Sequence, residues 1–257
     1  MESLLTHYNL ASQWCEDKKC YLISVAVFGS QNYGTVQSNS DLDTKAMIVP
    51  PIGAWLYRSS KKDFKDMLLF EDGGHCEITP LYSLFEQFSK GNINFLEWLV
   101  TDDIKINPIF SEWIAELHAH AEEIITHDLD TQHKVWIGYI NQMIKRVTAT
   151  LDGDYNYKAL ANAFRLIDTY DRYFNKHYSF KEAIFVPNLA KEIRAIKNKE
   201  KYVNDEVPEV LNDLNNRVQK MVDQYKPTNY YKDLTLFFED MCIKAYNICA
   251  ETKFLKP

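Results

Sequence analysis

From the amino end, the chain first spaces Leu4, Leu5, Tyr8, Leu10 and Trp14 in a helical rhythm over residues 2–17. Tyr21 to Phe28 then forms an almost unbroken apolar run, YLISVAVF, rich in β-branched residues and stopped by Gly29-Ser30. A run of that length and composition suits a central strand buried on both faces. Asp41 to Val49 predicts a second strand, closed by Pro50-Pro51, which cannot donate to a ladder. Met67–Phe70 and His75–Thr79 predict a further pair, joined by the Glu-Asp-Gly-Gly turn at 71–74.

Beyond residue 80 the period changes. Helical spacing predicts helices near 80–90, 94–101, 109–125, 131–150, 156–176, 188–200, 206–225 and 233–253. Gly91-Asn92, Asp152-Gly153-Asp154 and Pro227-Thr228-Asn229 punctuate them. The expectation is an α+β chain. A small mixed sheet lies in residues 1–105, and a mostly helical carboxyl-terminal domain follows over 106–257. The aromatic-rich stretch from Asn229 to Leu255 carries apolar residues at helix spacing and reads as core packing.

Composition narrows the classes. In 257 residues, 46% apolar and 25% charged side chains are enough for a packed core and argue against disorder. The net charge is −7, so any nucleic-acid contact needs a local basic surface rather than the whole molecule. The five cysteines (Cys15, Cys20, Cys76, Cys242 and Cys249) are odd in number and contain no CxxC, which disfavours a disulfide framework or a zinc finger. The amino-terminal residues lack the apolar run of a secretory signal, and no stretch approaches the ~18 apolar residues of a membrane span. The expectation is a soluble, cytoplasmic protein.

The candidate chemistry lies in Gly29 to Val49, GSQNYGTVQSNSDLDTKAMIV. An apolar strand ends in Gly-Ser, ten residues follow, and Asp41-Leu42-Asp43 opens the next strand. Side chains at i and i+2 share a strand face, so Asp41 and Asp43 project together while Leu42 packs on the other side. Neighbouring carboxylates are costly unless a cation neutralises them, and oxygen ligands favour Mg²⁺ or Mn²⁺. Glycine lets a backbone approach a phosphate closely, amides at a helix start donate to its oxygens, and the Ser30 hydroxyl adds a donor. The pattern suits a nucleoside triphosphate. Two other DxD triplets, Asp128-Leu129-Asp130 and Asp152-Gly153-Asp154, sit between helical patterns and read as caps or turns.

Strand–GS–x10–DxD–strand resembles the nucleotidyltransferase superfamily related to DNA polymerase beta. Within it, GSQNYG…SDLD followed by LLFEDGGHCEITPLYSLFEQFSKGNINFLEWL resembles the polymerase-beta-like proteins of RNA ligase and RNA repair pathways in bacteria and phages. The likeness is good from about Val25 to Leu99, weaker to about residue 200, and does not reach the last fifty residues. It implies two divalent ions on Asp41, Asp43 and a third carboxylate on a later strand, here Glu77, one methylene longer than the aspartate many members carry. An exposed strand glutamate is the alternative. His75 shares the Glu77 face by alternation and reads as a surface histidine.

The resemblance further implies transfer of a nucleoside monophosphate from an NTP to a hydroxyl, with an RNA end, from tRNA or cleaved RNA, as the favoured acceptor. A protein or small-molecule acceptor, or an inactive nucleotide- or RNA-binding module, are the alternatives. If phage-encoded, such a protein would act in the host cytoplasm. Lys158, Asn162 and Arg165 fall on one helix face where the family often presents Lys, His and Arg. Asn162 replaces the histidine, which leaves Lys158 and Arg165 as donors to the triphosphate or as a solvated face. Asn94 and Glu97 match an Asn-rich family segment and also read as a helix-capping pair. Lys191, Arg194 and Lys197, with Lys199 and Lys201 nearby, form a basic ridge that could hold an RNA backbone or be merely solvated. His118 and His120, at i and i+2, cannot share a helix face and make a poor metal pair. GxxxxGK[ST], HExxH and GxSxG are absent from the sequence.

Overall fold

A computed structural model describes residues 3–36, 40–57, 64–71, 73–148 and 154–254. Asp72 of the expected hairpin turn, and Asp152 and Gly153 of the third DxD, lie outside the described residues. The chain is α+β and divides into two compact units. The first holds residues 1–29, 39–127 and 232–257, and the second holds 30–38 and 128–231.

The first unit opens with α1 (Leu4–Lys18), capped by Ser3, whose hydroxyl accepts the Thr6 amide at 3.2 Å. Strands β1 (Tyr21–Phe28) and β2 (Asp43–Val49) follow, then α2 (Ile52–Tyr57), β3 (Asp66–Leu69) and β4 (His75–Pro80). After these come α3 (Leu81–Ser89), α4 (Ile93–Leu96), β5 (Ile104–Ile106), α5 (Ser111–Ala119) and α6 (Ala121–Thr126). Within the five-stranded sheet the order is β3-β4-β2-β1-β5. β1 pairs antiparallel with β2 and β5, β3 pairs antiparallel with β4, and β2 runs parallel to β4. Leu22 to Phe28 are all buried, as the continuous apolar run requires of a central strand. The Phe70–Gly74 turn closes β3 onto β4 through Phe70 N–H to the Gly74 carbonyl at 3.0 Å.

One face of this sheet is apolar. Leu22, Val25, Ala46, Ile48, Cys76 and Ile78 pack with Ala11 and Cys15 of α1. The final helix, α12 (Thr235–Phe254), joins the same unit: Phe238 stacks on Phe85 of α3 at 4.6 Å, and Met241 takes the Trp113 indole N–H on its carbonyl at 2.8 Å. That packing explains why the units do not divide at residue 105, where the sequence put its boundary. Residues 106–127 and the last helix pack with α3 through Trp113 and Phe238 on Phe85.

The second unit contains α7 (Leu129–Thr148), α8 (Tyr157–Tyr170), α9 (Phe180–Ile184), α10 (Ala190–Lys197) and α11 (Val207–Gln224). Trp136 is fully buried, with Tyr170, Tyr173 and Phe180 ring centres 6.2–6.4 Å away. His133 stacks flat on Tyr225 at 3.8 Å, and its Nδ1 lies 2.8 Å from the Tyr170 hydroxyl. Asp128 caps α7 by accepting the Thr131 amide at 2.9 Å. Asp130 accepts the Tyr225 hydroxyl and the amides of Thr228 and Asn229. Both members of that DxD are therefore the cap and turn ligands expected.

The predicted helices near 80–90, 131–150, 156–176, 188–200, 206–225 and 233–253 occur with ends shifted by a few residues, whereas 109–125 divides into α5 and α6 at His120 and 94–101 holds only the short α4 and a single 3-10 turn. The sequence reading missed α2, α9 and β5, each of three to six residues, too short to establish a period. All five cysteines are buried and none is in a disulfide. Among the described residues no helix is long and apolar enough to cross a membrane.

Asp130 makes the second unit sensitive to acid. Its hydrogen bond from Tyr225, reinforced by the Thr228 amide, lowers its carboxyl to about 2. A carboxylate with a depressed folded value contributes stability above its unfolded value, near 4, and loses it as pH falls toward 2. The expected result is that Asp130→Asn flattens the fall in urea midpoint between about pH 4 and 2 relative to wild type. An unchanged slope would remove Asp130 from the acid response.

Candidate functional site

The sheet face opposite α1 carries the charge. Asp43 and Lys45 share that face of β2, and His75 and Glu77 share it on β4. Parallel register sets Asp43 against His75 and Lys45 against Glu77. His75 Nδ1 lies 2.7 Å from Asp43 Oδ1, and the Lys45 ammonium forms an ion pair with Glu77. His75 is thus half-buried against an aspartate, not a lone surface histidine. The cross-strand partner decides this, and the partner is remote in sequence.

Asp43 begins β2 directly across from Phe28, the last residue of β1. The next residue, Gly29, has φ +75°, in the left-handed region, and a Cβ built there would lie 3.7 Å from Asp43 Oδ2. The Gly29 backbone and the Asp43 carboxylate therefore stand together at one end of the β1–β2 pair. β2 begins at Asp43 and not at Asp41 as the pattern predicted: Asp41 is exposed ahead of the strand, Leu42 is buried and Asp43 half-buried, so the two aspartates do not share a strand face.

Glu97 adds a third acid that sequence reasoning placed elsewhere. It is 1% exposed, and its Oε2 accepts the Gly29 amide at 3.4 Å. Asn92 caps α4, accepting the Asn94 amide at 3.2 Å. The expected Asn94–Glu97 capping pair is therefore corrected. Asn92 occupies the non-helical position a cap requires, and Glu97 is drawn in beneath the glycine instead. A glutamate inside the INFLEWL run, apolar apart from Asn94, was the one signal available.

After Gly29 the chain passes into the second unit. Residues 30–34 form turns rather than a helix start: the Gly34 amide donates to the Gln31 carbonyl at 3.1 Å, and the Thr35 amide to the Ser30 carbonyl at 3.0 Å. The expected helix start after Gly29-Ser30 is therefore replaced by a turn. Gly34 also has positive φ, and a Cβ there would lie 2.7 Å from the Phe185 ring. Tyr33, three residues past Ser30, is buried with its ring 3.6 Å from the Arg165 guanidinium.

Lys158, Asn162 and Arg165 do not form one solvated face. Lys158 is exposed, Asn162 half-buried, and Arg165 4% exposed. Nε and Nη1 of Arg165 have no hydrogen-bond partner among the described residues. On α10, Ala190, Ile193 and Ile196 point inward, leaving Lys191 and Arg194 exposed and Lys197 partly so. Lys199 and Lys201 are taken by Asp154 and Glu192, so the ridge is narrower than its sequence cluster. His118 packs edge-on against Trp98, and His120 turns its Nδ1 to the Glu116 carbonyl, so neither serves the other as a metal partner.

These positions test the fit of a divalent cation. Asp43 offers oxygen donors beside a glycine that nothing crowds, and Asp41 lies free of the strand in solvent, a donor chemistry that suits Mg²⁺ or Mn²⁺. Glu77 fits one only by giving up Lys45. Among the described residues no three His, Cys, Asp or Glu side chains are grouped as a ready-made ion cage. The chain matches no protein-family model and no curated protein.

The two glycines separate strain from crowding. Gly29→Ala should cost about 1–2 kcal/mol, the backbone penalty of a left-handed alanine with room for its methyl. Gly34→Ala should cost about 1–3 kcal/mol more, because its methyl also displaces the Phe185 ring. Urea midpoints of the two variants check the order, and equal losses would contradict it.

Proposed function

We propose that the chain is a nucleotidyltransferase that moves a nucleoside monophosphate from an NTP to a hydroxyl acceptor, releasing pyrophosphate. One observation carries the reading: Asp43 opens β2 with its Oδ2 beside the bare Cα of Gly29. That is a carboxylate and a close-approach glycine at one strand end, as the sequence pattern required.

In this reading Asp41 and Asp43 hold Mg²⁺ or Mn²⁺, which when bound draws charge from the phosphate being transferred. The protein's own contribution is positioning and electrostatics. His75, at 2.7 Å from Oδ1, restrains the Asp43 carboxylate so that Oδ2 stays toward Gly29. Gly29 keeps a side chain out of the space a phosphate oxygen needs, and Glu97 fixes the Gly29 amide from below. An acceptor hydroxyl then attacks the α-phosphorus in line, and the pyrophosphate oxygen leaves from the opposite side.

Ser30, Lys158 and Arg165 belong to the second unit, and the donor chemistry there also suits a polyphosphate. The turn that starts at Ser30 stacks Tyr33 on Arg165, a permanent cation whose Nε and Nη1 are unspent among the described residues. For the acceptor, the exposed Lys191 and Arg194 on α10 favour an RNA backbone, with Lys197 at the edge of the ridge. The net charge of −7 keeps protein and small-molecule acceptors as the second reading.

The test is label transfer from each of four α-labelled NTPs, with Mg²⁺ or Mn²⁺, to total RNA and to total protein. Wild type should label RNA, and Asp43→Asn should lower transfer at least ~100-fold while retaining the wild-type unfolding free energy within about 1 kcal/mol. Label on protein would reassign the acceptor. NTP-dependent pyrophosphate release with neither pool labelled would point to a small molecule. Absence of both transfer and NTP binding would overturn the reading in favour of another function for the fold.

A further inference from the structure

Lys45 is the strongest unassigned group on the charged face. It stands two residues beyond Asp43 on the same side of β2, so the two side chains are neighbours along one strand. Its ammonium is 4.1 Å from the centre of the Phe95 ring and 5.0 Å from that of Phe28. Its remaining partner is Glu77, directly across the parallel ladder. The lysine side chain is only 14% exposed, whereas that of Glu77 is 32% exposed. Two ring faces and one carboxylate thus form a cage that holds a cation out of bulk water.

This arrangement conflicts with a divalent ion on Glu77. Such an ion would sit against the ammonium, two like charges in a partly buried place. Conversely, an ammonium has three N–H donors, and only one is needed for Glu77. A phosphate oxygen held at Asp43 lies within the reach of a flexible four-carbon stem on the next same-face position.

We propose that Lys45 is the resident second cation of the site, and that Glu77 is a positioning residue that aims the Lys45 ammonium at the nucleotide phosphates. One divalent ion, held through Asp41 and Asp43, then takes the place of two. The proposal rests on the nucleotidyltransferase reading and replaces Glu77 as a metal ligand within it.

Bound Mn²⁺ per chain, counted by the loss of the free-ion electron paramagnetic resonance signal, separates the possibilities. The probes are the four NTP analogues with a non-hydrolysable α,β bridge, each at saturation. Wild type should bind one Mn²⁺ per chain with the preferred analogue. Glu77→Gln should keep that count and its Mn²⁺ affinity within about threefold, while weakening the analogue about tenfold as the ammonium loses its aim. Lys45→Met should weaken the analogue at least as much, and Lys45→Arg should restore most of the loss. Two Mn²⁺ per wild-type chain, falling to one in Glu77→Gln, would make Glu77 a metal ligand and overturn the Lys45 proposal while leaving nucleotidyl transfer intact. No analogue bound by wild type at all would overturn both. The wild-type count decides the question even if a Lys45 variant fails to fold.

Discussion

Parallel pairing of β2 with β4 is the constraint on which the charged face depends. It puts an acid opposite a base on two successive rungs, Asp43 with His75 and Lys45 with Glu77. Slipping the register by two residues would set Asp43 beside Glu77 and leave Lys45 opposite Thr79, so like charges would meet directly. Slipping it by one would turn the charged side chains toward α1, where Ala11, Cys15 and Ile48 offer them no partner. Charge and hydrophobicity therefore exclude different errors, and together they leave one register. The glycine turn inherits its position from that choice, because Asp43 is at once a rung of this ladder and the residue facing Phe28 across β1.

The two sides of the sheet divide the work. α1 seals the apolar side, so β1, β2 and β4 are anchored by burial and need no charged group there. The opposite side can then hold partly exposed polar pairs without leaving the strands unsupported. The Asp43–His75 pair, about a third exposed on both sides, is near enough to solvent to contribute little net stability. The value of the pairs on this face is orientation. Asp43 is restrained at one oxygen and turned to Gly29 at the other, and Lys45 is caged by Phe28 and Phe95 while its partner remains more open.

Elements were legible in the sequence wherever a single segment carries enough period to state its own structure. β1 announces itself as an eight-residue run, apolar but for Ser24 and ended by Gly29, and α7, α11 and α12 repeat their inward faces over several turns. The placement of Asp43 at the strand end beside Gly29 was also legible, because both flank a loop of fixed length. What was not legible depends on partners far along the chain. DTK and HCE each look like ordinary alternating strand residues, and nothing within either segment says that they run parallel in the register that pairs Lys45 with Glu77. The assignment of 106–127 and α12 to the sheet's unit fails to show for the same reason: it rests on Phe85, Trp113 and Phe238 meeting across more than a hundred residues. Glu97 was misread because a glutamate near a helix start has a familiar local role, and the Gly29 amide that engages it is 68 residues away.

Arg165 shows how the second unit carries a comparable tension in different form. A buried lysine can shed its proton, but a guanidinium remains charged at any physiological pH, so its desolvation must be met by contacts. Tyr33 supplies one, with the ring 3.6 Å from the guanidinium carbon. Nε and Nη1 remain unpaired among the described residues, and each such donor costs about 1–3 kcal/mol. Packing alone would favour a leucine or methionine at this position of α8, where Ala161, Leu166 and Thr169 are already fully buried. An anion accepting those N–H groups would convert the penalty into binding, and the stacked Tyr33 would hold the guanidinium plane ready for it. The turn beginning at Ser30 is what brings Tyr33 there. The turn and the arginine are thus parts of one arrangement within the second unit, in which the Tyr33 ring offsets some of the cost of the buried guanidinium.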